Sequence, residues 1–202
     1  MRSKNRVARV QQSLLGSCGC LFLLALLVGP TAKGQQSRGV DITFAPSSTA
    51  IHWTLGDVLH TVRGTFKLKS GSIHLDPATG EMTGIVIVDT TSGESGNSAR
   101  DELMHKKILE SSSYPTITFR PTHETGKFDL TRDQTFRVDG IFNLHGQDHP
   151  LQLIVNVHPN SGSLNLTTHF DVPYVQWGLK DPSTFILRVD KDVSIEIEAT
   201  AK

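Results

Sequence analysis

Cysteine is nearly absent from this sequence. The two that occur, Cys18 and Cys20, both fall within the first 34 residues, and the chain after Gly34 is therefore without disulfides or thiol chemistry. Long apolar runs are missing as well. The stretch from Leu14 to Val28 is interrupted by Gly16, Ser17, Cys18, Gly19 and Cys20, and it stays short of the ~20 residues that a spanning helix needs. No HExxH or paired His/Cys cluster is present, nor a GxSxG elbow, so neither a zinc hydrolase nor an α/β-hydrolase nucleophile is readable. His145 and His149 stand four apart, but they flank a Gly-Gln-Asp turn and no third ligand lies nearby, which leaves no metal site. No pattern for a cofactor occurs. A basic excess is lacking too. Five of the 20 basic residues lie before Gln35, leaving 15 against 20 acidic residues and a net charge of −5. That balance excludes the clustered cation footprint of a nucleic-acid binder or of a protein bound to an anionic membrane.

The first 34 residues have a composition of their own. Arg2, Lys4, Arg6 and Arg9 form a positive region, Leu21–Val28 an apolar one, and Ala32-Lys33-Gly34 a small-residue cleavage site. This is the pattern of a secretory signal peptide over 1–34, with a mature chain from about Gln35 located outside the cytoplasm, secreted or periplasmic, and not inserted in the membrane after cleavage. Leu15-Gly16-Ser17-Cys18 mimics a lipoprotein box, but most of the apolar region follows the cysteine instead of preceding it.

Residues 35–202 read as one domain of period-two segments. Val62, Phe66 and Leu68 alternate with Arg63, Thr65, Lys67 and Lys69; Phe136, Val138, Phe142 and Leu144 share a parity with Gly140; Leu151, Leu153, Val155 and Val157 alternate with Gln152 and Asn156; and Leu164, Leu166 and Phe170 alternate with Asn165, Thr167 and His169. Further strands are expected over Val40–Phe44, Ala50–Leu55, Met82–Asp89, Pro115–Pro121, Phe185–Val189 and Val193–Ala199. Turn chemistry separates them at Asp76–Gly80, His145–Gln147 and Pro159–Gly162. The result is an all-β domain of about eight to ten strands. Periodicity alone leaves a sandwich and a barrel equally open.

One stretch departs from period two. Ser98 can cap a helix with Asp101 three residues on, acidic side chains occupy the first turn and Lys106 and Lys107 the last, and Leu103, Met104 and Ile108 form a narrow apolar stripe. A short helix over about 98–109 is expected, placed to cover Ile85–Val88, which is apolar on both faces. The preceding Ser92–Gly96 reads as a flexible connection, or alternatively as an anion cradle.

The sequence Asn97, Arg100-Asp101, Leu103, then Tyr114-Pro115-x-Ile117-x-Phe119 resembles the central motif of the YceI family. The resemblance extends to Thr61–Phe66, Val138–Gly146 and the tail from Phe170 to Ala199. It implies a single antiparallel lipocalin-like barrel that holds a long-chain isoprenoid or related lipid. It also implies that Arg100 and Asp101 dock the helix or clasp a ligand head group. Many members carry a histidine shortly before the Gly-x-Phe strand; here His52 and His60 flank that position at a different spacing. The apolar parity of the strands names Trp53, Val62, Phe66, Leu68, Ile117, Phe119, Phe136, Val138, Phe142, Leu153, Val155, Leu166 and Phe170 as the lining of a cavity, with Gly64 leaving room beside Phe66. The alternative is a packed β-domain acting through its surface as an interaction or stress-response protein. No catalytic residues are assigned, and nothing in the sequence speaks to oligomeric state.

Overall fold

The computed structural model describes residues 39–202, apart from 58–59, 127–128, 130 and 186–187. The leader read over 1–34 and both cysteines lie outside the described residues.

Eight strands form a closed barrel in chain order: β1 (Val40–Gly56), β2 (Thr61–Leu75), β3 (Met82–Glu94), β4 (Thr116–Thr125), β5 (Gln134–Leu144), β6 (Gln147–Asn160), β7 (Ser163–Val172) and β8 (Val193–Ala201). Every neighbouring pair is antiparallel, and β8 returns to β1 to close the ring. Closure removes both sheet edges. It also fixes an inside and an outside, so that alternate residues of every strand share one interior.

Several segments that read as separate elements are continuous. Val40–Phe44 and Ala50–Leu55 are one strand, bent where its register shifts between Phe44 and Ile51. Pro46 is tolerated there because the ladder is already interrupted. The strand expected over Phe185–Val189 is not formed by its described residues: Phe185 and Arg188 lie outside the strands, and Val189 makes only an isolated bridge to Asp57. Phe185 itself is 96% exposed.

The interior divides into two clusters. At the lower end Ile42, Leu75, Met82, Phe136, Val138, Leu153, Val157, Leu164 and Ala201 are buried together. At the upper end Leu144, Val172, Tyr174 and Leu179 form a second buried group, with Ile108, Leu109 and Trp177 packed against it. The helix belongs to this upper end. It does not cover Ile85–Val88: Val86 and Val88 face the interior, which puts Ile85 and Ile87 on the outer face.

Candidate functional site

The helical segment crosses the upper end in two parts, α1 (Ser98–Leu103) and a π-helical turn over Met104–Ile108. The N-cap is Asn97, one residue before the expected Ser98; its side-chain oxygen accepts from the Arg100 N–H at 3.0 Å. The π turn ends with the Leu109 N–H donating to the Met104 carbonyl at 2.8 Å. Residues five apart point away from each other on an α-helix, but a π turn brings them onto one side. Leu103 and Met104 thus face the upper cavity together with Ile108 and Leu109.

Ser95 anchors the helix start. Asp101 Oδ1 accepts from the Ser95 N–H at 2.9 Å and from its hydroxyl. Arg100 donates to the same serine, from Nε to Oγ at 2.7 Å and from Nη2 to the carbonyl at 3.0 Å. Ser92–Gly96 is therefore neither a loose connection nor an anion cradle: β3 runs through to Glu94, and Ser95 is spent on the helix. Arg100 and Asp101 meet at this tether, and Arg100 also lines the upper cavity. His105 adds a second anchor, with Nε2 2.8 Å from the Gly93 carbonyl and Nδ1 2.8 Å from Ser111 Oγ. A carbonyl only accepts, so in the neutral ring Nε2 carries the hydrogen and Nδ1 accepts from the serine. Sequence reading missed His105, because a lone histidine on a helix gives no signal until its partners are placed.

Described residues of the segment between β7 and β8, among them Tyr174 and Leu179, line the same upper cavity as the helix. Tyr174 is 6% exposed and donates its hydroxyl to the Asp190 carbonyl at 2.8 Å. Burial and the surrounding Asp181, Asp190 and Asp192 push its phenol up to about 12. Lys191 bonds to Asp181, whose carboxyl that contact and Ser183 hold at about 2. His149 stacks on Trp177 with ring centroids 4.1 Å apart, and His145 lies 3.2 Å from Glu110. Among the described residues no three His, Cys, Asp or Glu side chains gather as metal ligands.

Two cavities occupy the barrel. The lower one, of about 160 Å³, is lined by Leu68, Phe119, Phe136, Val138, Leu153, Val155, Leu166 and Phe170 among others. The upper one, of about 380 Å³, is lined by Trp53, Val62 and Phe66 and by the helix. Ile117 and Phe142 line both, so the two spaces adjoin at these side chains. All the positions expected from strand parity therefore face one cavity or the other. Gly64 is a correction. A Cβ there would lie 2.4 Å from the Trp53 ring and 2.1 Å from the Glu94 carbonyl, so the room that Gly64 leaves is taken up by Trp53 and the Glu94 backbone and adds nothing to the cavity that Phe66 lines. Neither His52 nor His60 is among the lining residues of either space.

The one carboxylate among the described residues of the lower cavity, Glu124, was not expected. Strict alternation along β4 would turn Glu124 outward, but the register shifts between Pro121 and His123. The extra residue, Thr122, reverses the parity, which is how a bulge re-aims a side chain. Glu124 is 4% exposed, and its Oε1 has no hydrogen-bond partner among the described residues. Burial raises its carboxyl above the ordinary value of 4.5, with nearby His123 opposing. A single extra residue in a strand leaves no trace in composition or period, which is why sequence reading passed over it.

A closed eight-stranded meander with a helix across one end and an apolar hollow inside is a lipocalin-like barrel. Residues 42–201 match the YceI-like domain, and the chain belongs to that family. Two solved structures are similar to it. One is a polyisoprenoid-binding domain from Saccharophagus degradans implicated in plant cell wall breakdown, at 14% identity and TM-score 0.59, covering 80% of this chain and 97% of that one. The other is BcnA of Burkholderia cenocepacia, at 14% identity and TM-score 0.64, covering 79% and 99%. Identity this low speaks for the fold. No curated protein sequence matches.

Proposed function

We propose that this protein holds one long-chain amphiphile, of polyisoprenoid type, inside the barrel. The observation that carries this reading is the pair of adjoining cavities. At about 380 Å³ the upper space alone falls in the range of small-molecule pockets, ~300–1,000 Å³, and the lower space extends it along the barrel axis. Membership of the YceI-like domain family and the Saccharophagus degradans polyisoprenoid-binding domain support the same reading.

The mechanism is sequestration, and no reaction is assigned. Each methylene moved from water into the hollow contributes ~0.8 kcal/mol. A tail with about ten buried carbons therefore gains on the order of 8 kcal/mol before the costs of ordering it are subtracted. The helix, tethered through Ser95 and His105, is the element that would part to admit the tail. Arg100 lines the upper cavity near its rim, where it would meet any polar group of the ligand left at that end.

Native mass spectrometry of the protein purified from its own envelope tests the proposal. The expected result is a co-purifying adduct with the mass of a long-chain lipid, and a delipidated protein whose melt rises when an isoprenoid is added. If delipidated protein shows no shift with any long-chain amphiphile, the surface-acting alternative takes its place. We further propose a site of action outside the cytoplasm, secreted or periplasmic, on the strength of the basic and apolar segments before Gln35. N-terminal sequencing of the native protein should begin near Gln35; a retained Met1 or an acylated Cys18 would overturn it.

A further inference from the structure

Glu124 is out of place in a cavity built only to hold hydrocarbon. The side chain is buried, lines the lower cavity, and presents Oε1 without a partner among the described residues. Its position is imposed by the local backbone. The bulge at Thr122 turns it inward, and its N–H donates to the Gly80 carbonyl at 2.7 Å, which pins the strand at that point. Gly126 completes the fit: a Cβ there would stand 2.8 Å from Oε1, and its φ of +153° suits glycine. Thr168 Oγ1, on the wall formed by β7, is likewise buried and without a partner among the described residues.

A carboxyl left unpaired in an apolar cavity weakens the binding of any ligand that covers it without offering a hydrogen bond. We propose that Glu124 seats a neutral oxygen, a hydroxyl or a carbonyl, carried by the end of the ligand that lies deepest in the barrel. The chemistry selects among ligand classes. A hydroxyl can donate to Oε1, and a carbonyl can accept from the protonated acid, without burying a net charge. A phosphate at this depth would bring a second anion against the acid with no cation among the described lining residues, and a terminal ammonium would have to be buried as an ion pair. Alcohols and ring ketones with isoprenoid chains therefore fit, whereas phosphorylated isoprenoids entering head first do not.

This inference rests on the lipid-holding reading, and one experiment separates the two. Binding of an all-trans C20 isoprenoid alcohol and of the C20 isoprenoid hydrocarbon with the same skeleton is measured on the delipidated protein, alongside Glu124→Leu and Glu124→Gln, with melts confirming that each variant folds. The expected result is an alcohol preference of about 10- to 100-fold in the wild type, a ratio near one in Glu124→Leu, and an intermediate ratio in Glu124→Gln. An unchanged ratio in Glu124→Leu, or the absence of an alcohol preference in the wild type, overturns the role of Glu124 and leaves lipid binding standing. Failure of both probes to bind the wild type overturns the lipid-holding reading, and this inference with it.

Discussion

Burial in an apolar hollow holds the Glu124 carboxyl above its ordinary 4.5, and this has a sign that can be measured. The folded chain keeps the proton more tightly than the unfolded chain does. Protonation therefore favours the fold: the contribution is fully present below the unfolded pKa and is lost as pH rises through the folded one. Urea denaturation from about pH 4 to pH 7 should show wild-type stability declining relative to Glu124→Gln as pH rises. A constant difference across that range would mean that Oε1 finds water or another partner. This residue also marks the limit of what the letters of a sequence can disclose. Phe136, Val138 and Leu153 show their direction through alternation, whereas Glu124 owes its direction to one extra backbone unit at Thr122.

The helical element was legible in part. Its position followed from capping chemistry and apolar spacing and the role of its Arg-Asp pair from the family resemblance, but its π turn, its true cap at Asn97 and its place over the rim did not. The anchoring at the rim rests on Gly93, Ser95 and Ser111, which lie outside the helix stripe and carry no periodic signal. The His105 ring joins the strand end at Gly93 to the buried Ser111 beyond the helix. His105→Ala leaves the carbonyl and the hydroxyl without that partner, an expected cost of about 1–3 kcal/mol. Hydrogen exchange should report it as faster exchange over residues 98–109 while the amides of β5 and β6 keep their protection. If those strands loosen equally, the helix is part of the global cooperative unit and not a separately opening cover.

For the whole molecule, most of the strands and their inward faces were open to a reader of the sequence, because turn residues and period two record both; the continuity of β1 and the lack of a strand in the described part of 185–189 were not. Closure was not, since alternation is the same in a sandwich; only the family resemblance favoured a barrel. Whether the centre was hollow lay beyond pattern altogether, because voids depend on side-chain volumes set against a ring of fixed size. The hollow makes its own prediction. Val138→Trp fills the lower cavity, and overpacking costs ~1–3 kcal/mol only where no void receives the ring. The variant should melt close to the wild type yet lose the ligand-induced rise, which for the wild type at about 100 times Kd should be roughly 5–10 °C. A strongly destabilised variant would show that the lower space cannot admit the indole. One further consequence follows from the order of the strands. Seven of the eight seams join segments adjacent in the chain, while β1 meets β8 across nearly the full length of the barrel. A folding chain can therefore lay down hairpin after hairpin, yet the ring cannot shut until β8 finds β1. Until then β1 keeps a bare, pairing-competent edge, so the slow and vulnerable step in the folding of this protein is the closing of that last seam.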